Sequence, residues 1–315
     1  MKAVLYDKTV PGALALREVE KPVPSDGEVL VRIHAVSVNA ADYRSMKMGI
    51  IPKRKIFGAD IAGRVEAVGK SVGQFAAWDD VLGEISSFGF GGFAEYAAVP
   101  EAALVKKPAN VTFEVAAAVP MAAVTALQAL RNAGEIKPGQ KALIVGAGGG
   151  VGTFAVQLAK HFGAEVTAVC GTGNLELMRA LGADRVIDYT REDFTVSQDR
   201  YDLILAVNGG RPLSVYKRAL KPGGITVVVG GALSQVIKAM LLGPVMSLGS
   251  VKVRILAAKP STKDLEFVMR LVADGSIKPV IDRRYTLSET AEAVRYIGEG
   301  HARGKAIINI VEEEN

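Results

Sequence analysis

Between Lys141 and Gly152 the chain runs Lys141-Ala142-Leu143-Ile144-Val145 and then packs glycines at 146, 148, 149, 150 and 152. The apolar run suits a buried strand, and Thr153-Phe154-Ala155-Val156-Gln157-Leu158-Ala159-Lys160 carries apolar side chains at spacings of three and four, as a helix does. A second apolar strand follows, Glu165 to Cys170. That order is the start of a βαβ unit, which presents bare backbone N–H groups and a helix N-terminus where a dinucleotide pyrophosphate can sit. A side chain at these glycines would hold phosphates away from the amides. The spacing is Ala147-x-Gly149-x-x-Gly152, with no Gly-Lys-Ser/Thr ending, which argues against a nucleoside triphosphatase. A ligand-free turn packing a helix on a strand is the plainer alternative, but five glycines in seven positions exceed what a turn requires.

The acid that binds a ribose 2′-OH in NAD-preferring folds of this type stands about 20 residues past the glycines. Here that place reads Cys170-Gly171-Thr172-Gly173-Asn174, without a carboxylate. Backbone amides, Thr172 and Asn174 can donate to a 2′-phosphate, with Arg179 nearby, so the loop predicts NADPH over NADH. Asn174 can also serve as the N-cap of the helix that follows.

A length of 315 residues allows two domains, and 49% hydrophobic with 23% charged residues describes an ordinary globular chain. No apolar run reaches the ~20 residues of a membrane span; the longest candidate, Val236 to Leu248, is broken by Lys238, Gly243 and Pro244. The N-terminal apolar stretch is too short for a signal peptide, so the expectation is a cytoplasmic protein without a membrane span. A net charge of +5 suits an anionic ligand. The only tight basic run, Lys53-Arg54-Lys55, lacks aromatic interleaving, which argues for a solvated loop and against nucleic-acid binding. One cysteine and three scattered histidines exclude an intrachain disulfide and any cysteine-rich metal site.

The first hundred residues read as short strands with Gly and Pro punctuation, at 28–38, 62–69, 81–84 and 92–99, as in a partly closed barrel. From 114 to 133 the chain is alanine-rich and helical, with a kink expected near Pro120. Strands at 141–145, 165–169, 185–188, 202–206 and 225–229 then alternate with helices at 151–162, 174–181 and 212–219, with Lys221-Pro222-Gly223-Gly224 as a turn. That alternation predicts a doubly wound parallel sheet. Helices at 264–274 and 288–298 and a strand from Lys305 to Val311 close the chain. A nucleotide domain inserted into β-rich sequence predicts a cleft between two lobes.

These residues resemble the zinc-independent quinone oxidoreductases of the medium-chain dehydrogenase/reductase superfamily. The resemblance runs through Val38-Asn39-Ala40-Ala41-Asp42-Tyr43-Arg44, the segment Gly58 to Gly69, Gly91-Gly92-Phe93-Ala94-Glu95-Tyr96, Ala117 to Met121, Thr125 to Leu130, the glycine turn, Leu181 to Tyr189 and Gly304-Lys305-Ala306-Ile307-Ile308. Asp264 to Phe267 and Pro279 to Asp282 make it most similar to the chloroplast-envelope type of quinone oxidoreductase homologue, whose members reduce α,β-unsaturated ketones. The resemblance implies an α/β architecture: a GroES-like, partly open β-barrel catalytic domain over 1–121 and 261–315, and a Rossmann doubly wound parallel-sheet domain over 122–260. It implies a homodimer and a small apolar quinone or conjugated carbonyl as substrate.

The alcohol-dehydrogenase branch of the superfamily carries zinc ligands where this chain has Ser37-Val38-Asn39 and Gly58-Ala59-Asp60. Without them hydride transfer to a conjugated acceptor, whose β-carbon is already electrophilic, is favoured over a zinc mechanism. By resemblance, Asn39 and Tyr43 face the nicotinamide, Tyr43 as a donor of a hydrogen bond or proton and Asn39 orienting substrate. Tyr43 can equally be a packed aromatic. The expected cofactor residues are Thr125, Ala147, Gly148, Gly149, Gly150, Val151, Gly152, Cys170, Gly171, Thr172 and Asn174. Tyr189 is expected near the adenosine, Lys305 near the pyrophosphate, and Val207, Asn208, Gly230 and Gly231 along the nicotinamide side. Phe88 to Phe93 can line an apolar substrate pocket or simply pack. Asp60 and His34 read as structural, and Cys170 as a small apolar residue. The alternatives left open are an enoyl-thioester reductase and a low-turnover NADPH-binding protein with a redox-sensing or interaction role.

Overall fold

The structure, a computed structural model, describes residues 1–196, 198–208, 210–231 and 250–311. The chain divides into two compact units, Met1–Val124 with Pro260–Asn315, and Thr125–Lys259.

The hub of the first unit is the strand Glu28–Val38. It pairs antiparallel with three others, Asp60–Val68, Tyr96–Pro100 and Lys305–Asn309. Asp80–Glu84 and Leu104–Lys106 extend the sheet on one side and Ile281–Thr286 on the other, giving seven strands. Register shifts at Leu30/Val31 and Ile33/Ala35 bend the hub strand, as bulges do in a curling sheet. Val29, Val31, Ile33, Val36 and Val38 bury against Phe57, Ile61, Phe93, Ile85 and Ile308 to form the core of this unit. Strand 60–68 lies so close to the hub that a Cβ at Gly63 would stand 2.2 Å from the Arg32 carbonyl oxygen. The chain leaves the hub at Asn39 into the helix Ala40–Lys47. Asp42, three residues on, accepts from the Asn39 N–H at 2.8 Å and fixes that entry. This helix packs on the helix Thr290–Glu299, with the Tyr43 ring seated against Gly298.

The second unit is a six-stranded parallel sheet in the order 185–188, 165–170, 141–145, 201–207, 220–229, 252–255. In chain order that is 3-2-1-4-5-6, the doubly wound arrangement whose ligands bind beyond the C-terminal strand ends. The doubly wound sheet and the GroES-like unit therefore stand as expected.

Several local expectations are corrected. The helical run expected over 114–133 divides at the kink expected near Pro120, into Phe113–Ala117 and Pro120–Gln128, and what was not expected is the π turn at Ala129–Ala133. Pro120 opens the second helix, where its missing N–H costs nothing. The expected strand at 92–99 is Tyr96–Pro100, because Gly92 and Phe93 bond back to Gly58 and Phe57. Lys221 to Gly224 belongs to the strand Leu220–Val229, with a register shift opposite Tyr201/Leu203. The strand Lys252–Ile255 was not expected; four residues are too few for a period to show. The apolar run from Val236 to Leu248 lies outside the described residues. Among the described residues no helix is long and apolar enough to cross a membrane.

Candidate functional site

In the second unit the glycine turn lies at the C-terminal end of the strand Lys141–Val145 and opens the helix Gly150–His161. Gly146 sits at φ +76°, and a Cβ there would meet the Val207 carbonyl oxygen at 2.3 Å, so only glycine fits. The N–H groups of Gly146 and Ala147 both donate to the Val169 carbonyl, at 3.2 and 3.1 Å, which ties the turn to the neighbouring strand. Gly152 lets the helix lie on the turn: its Cβ would stand 2.2 Å from the Gly146 oxygen. Gly149 differs, because the nearest atom to a Cβ there is 3.7 Å away. No backbone contact requires glycine at 149, and its face is open. The first turn of the helix offers N–H groups without helical partners at the same place.

The loop after the next strand closes on this turn. A Cβ at Gly148 would fall 2.5 Å from Asn174 Nδ2, so the Asn174 amide lies against Gly148. Asn174 Oδ1 is buried and has no hydrogen-bond partner. A buried orphan acceptor beside an open glycine face calls for a donor from outside the protein, such as a ribose hydroxyl. The Tyr189 hydroxyl lies 3.3 Å from where a Gly171 Cβ would be, and the Tyr189 ring is 59% exposed, a free face beside the loop. These residues fit a dinucleotide.

Asp188 was missed by sequence reasoning. It ends the strand Arg185–Asp188, in register with Cys170, and its Oδ2 accepts from the Thr172 hydroxyl at 2.6 Å. Its Oδ1 accepts from the Thr190 N–H and hydroxyl at 3.0 and 2.8 Å. The Thr172 bond, followed by those from Thr190, holds the Asp188 carboxyl below its ordinary range. The loop 170–174 has no carboxylate of its own, but the adjacent strand brings one to it, and the Thr172 hydroxyl is committed there. Arg191 stands 3.8 Å from Asp188 and is largely exposed. Arg179 pairs with Glu176 and lies within electrostatic reach of Cys170 at the start of this loop. Burial pushes the Cys170 thiol up to about 11, so it is a neutral apolar side chain at physiological pH. Thr125 is buried in the helix Pro120–Gln128. Val207 ends its strand, Asn208 follows at φ +49°, and Gly230 and Gly231 turn the chain at φ +61° and +111° after the adjacent strand.

The first unit holds a buried polar centre of its own. Lys305 Nζ donates to Asn39 Oδ1 at 2.6 Å and stands 3.6 Å from Asp60 Oδ2. Asn39 Nδ2 donates to Asp60 Oδ2 at 2.9 Å and to the Ser37 carbonyl at 3.3 Å. Asp60 Oδ1 accepts from the Met121 N–H at 3.1 Å, and Asp42 Oδ1 from the Gly58 N–H at 3.0 Å. Asp42 and Asp60 are fully buried, Lys305 is 3% exposed, and the Ser37 hydroxyl has no partner. Loss of water raises both carboxyls to about 7 against the opposing pull of hydrogen bonds and of Lys305. Burial likewise lowers Lys305, while Asp60 and Asp42 hold it up.

This centre changes the reading of two residues. Lys305, expected at a pyrophosphate, is enclosed, and its ammonium serves Asn39 and Asp60. Both amide ends of Asn39 are engaged within the protein. Tyr43 lies half-buried beside this centre in sequence, its ring on Gly298, with the Lys47 ammonium 5.8 Å from the ring centroid. The Tyr43 hydroxyl has no hydrogen bond to any described residue. Among the described residues no group of three or more His, Cys, Asp or Glu is placed to hold a metal ion. His34 stacks on Phe113 at 4.1 Å, and burial lowers its pKa. Phe93 is core, Phe90 meets Phe57 edge-on at 5.6 Å, and Phe88 is exposed.

Comparison with known proteins agrees with this architecture. Residues 25–109 match the model described as alcohol dehydrogenase GroES-like domain, and 181–308 that described as zinc-binding dehydrogenase. The chain is 37% identical over 326 aligned residues to the chloroplast envelope quinone oxidoreductase homolog of Arabidopsis thaliana, covering 98% of each. It is 33% identical to the chloroplastic NADPH-dependent alkenal/one oxidoreductase of the same plant, covering 91% of this chain and 73% of that one. The structure of the quinone oxidoreductase from Coxiella burnetii superposes with a TM-score of 0.88 at 28% identity, covering 99% of both chains. The chain is an oxidoreductase with a nicotinamide-nucleotide fold, and it belongs to the quinone oxidoreductase family of the medium-chain dehydrogenase/reductase superfamily.

Proposed function

We propose that this protein is an NADPH-dependent reductase that transfers hydride, without zinc, to a quinone or to the carbon–carbon double bond of an α,β-unsaturated ketone or aldehyde. The observation that carries the reading is the open face at Gly149 beside the orphaned Asn174 Oδ1. A bound nicotinamide nucleotide supplies the hydride. Gly150 to Gly152 offer their N–H groups to its phosphates across a turn that Ala147, Gly148 and Gly149 shape, Gly171, Thr172, Asn174 and Tyr189 border its adenosine, and Thr125, Val207, Asn208, Gly230 and Gly231 flank the rest. The choice of NADPH rests on the absence of a carboxylate in loop 170–174 and on Arg191, which offsets Asp188. The name of the alkenal/one oxidoreductase points the same way.

Hydride arriving at a β-carbon makes the carbonyl oxygen enolate-like, and that oxygen then needs a donor. The Tyr43 hydroxyl, unbonded to any described residue, is the group assigned to donate. Asn39 acts through its place: held by Lys305, Asp60 and Asp42, it fixes the start of the helix that carries Tyr43. Tyr43→Phe is expected to lower kcat at least about tenfold while leaving the NADPH dissociation constant within about twofold. Equal losses in both would assign Tyr43 to packing against Gly298.

The reading is tested by stopped-flow oxidation of NADPH, and of NADH in parallel, with 1,2-naphthoquinone, 3-buten-2-one and crotonyl-CoA. Oxidation by the enone or quinone but not the thioester is the expected result, faster with NADPH. Thioester turnover alone, or turnover that requires added zinc, overturns it. A cytoplasmic location and a homodimer complete the proposal; both named plant relatives carry chloroplast designations.

A further inference from the structure

The segment after the helix Ala40–Lys47 turns apolar side chains outward. Met48 is 57% exposed and Ile50 58%. Single exposed hydrophobics need no explanation, but these two lie within three residues of each other and are bracketed by Lys47 on one side and Lys53, Arg54 and Lys55 on the other. All four cations are exposed, and none forms an ion pair with a described residue. No acid occurs between 43 and 59. Asp7 is within electrostatic reach of Lys55, but its carboxylate is occupied by the Thr9 N–H and hydroxyl at 3.0 and 2.6 Å and by Arg17 at 3.6 Å.

The segment is also held in shape. Gly49, at φ +73°, reverses the chain after the helix. The Ile50 N–H donates to the Ser45 carbonyl at 2.9 Å, Lys55 N–H to Pro52 at 2.8 Å, and Tyr6 N–H to Lys55 at 2.7 Å. Ile51 and Ile56 pack inward on the core, Pro52 is buried, and Met48 and Ile50 are left outside. Folding therefore buries Pro52 and Ile56, half-buries Ile51, and presents Met48 and Ile50 beside cations on a preformed loop.

We propose that the loop 47–55 is a docking surface for an anionic lipid membrane, with Met48 and Ile50 entering the headgroup boundary and Lys53, Arg54 and Lys55 facing the lipid phosphates. The chemistry matches both parts of the loop: aliphatic side chains gain by leaving water at an interface, and each nearby cation raises partitioning onto an anionic surface about fivefold. Nucleic acid accounts for the cations only, because the segment has no aromatic, Asn or Gln side chain to stack on or read a base.

The test is flotation of the full chain with vesicles of pure phosphatidylcholine and of phosphatidylcholine with phosphatidylglycerol, at low and high salt. The expected result is at least about tenfold stronger partitioning onto the anionic vesicles, lost in high salt. Lys53→Glu with Arg54→Glu is expected to remove that preference. Met48→Ser with Ile50→Ser is expected to weaken binding at least about fivefold while keeping its salt dependence. NADPH affinity and circular dichroism unchanged in both double variants would show that the fold is intact. Equal partitioning onto both vesicles, or none, overturns the proposal. So does duplex DNA binding as strong as vesicle binding and indifferent to the Ser substitutions, or loss of a dimer on size-exclusion chromatography in the Ser variant.

Discussion

Gly149→Val is expected to weaken NADPH binding roughly a hundredfold or more, about 3 kcal/mol, while the protein remains folded. A valine at 149 meets no backbone closer than 3.7 Å at its Cβ, so the turn accepts it. Its methyl groups would stand where the phosphates must approach the amides of 150 to 152. Gly152→Val makes the useful contrast. Its Cβ would press to 2.2 Å on the Gly146 oxygen and 2.6 Å on Ala147 Cα, so it loses cofactor binding by disrupting the turn itself. Calorimetric titration with NADPH, beside near-ultraviolet circular dichroism and the melting temperature, separates the two. Unchanged NADPH affinity in Gly149→Val would remove the phosphates from this turn.

Lys305→Met is expected to destabilise the protein by about 3–5 kcal/mol at pH 8. The substitution removes the ammonium bonded to Asn39 and leaves Asp60 and Asp42 as neighbouring buried carboxylates without it. The loss should shrink toward pH 5, and the sign follows from protonation. Both aspartates have folded-state pKa values raised from 3.8 to about 7. The folded protein therefore keeps protons that the unfolded chain releases between pH 3.8 and about 7. Their contribution to stability is present at low pH, falls as pH rises through that window, and levels above it. Without Lys305 the ionised forms cost more, so the fall is steeper. Lys305→Met combined with Asp60→Asn should recover roughly half of the loss, since the uncompensated charge goes with it. Urea unfolding at pH 5, 6.5 and 8 measures all of this. A pH-independent loss, or no rescue, would reduce the centre to side-chain packing.

What was legible in the chain was local. The glycine turn, with a strand before it and a helix after it, can be read from twelve consecutive residues because its constraints are steric and short-range. The helix at 40–47 was readable too: Asn39 followed three residues on by Asp42 is a capping signal, but it borders an apolar strand that dominates the pattern. The contact of Thr172 with Asp188 depends on the parallel register that sets Asp188 beside Cys170, and no run of residues spells out that register. The polar centre was the least visible. Lys305 and Asn39 are 266 positions apart, and they meet because strand 305–309 pairs with the hub strand, placing Ala306 opposite Val38. A lysine in a Gly304-Lys305-Ala306 segment reads as an accessible cation until that pairing encloses it. Asp60, read as structural, is a buried partner of Asn39 and Lys305, a pairing that no local run of residues announces.

Calorimetric titration of the wild-type chain with NADPH and NADH addresses the central claim most directly. Saturable heat at one site per chain, tighter for NADPH and abolished in Gly149→Val, is the predicted result. No heat with either nucleotide, or binding that ignores the valine, would contradict the assignment of this turn as the seat of the cofactor.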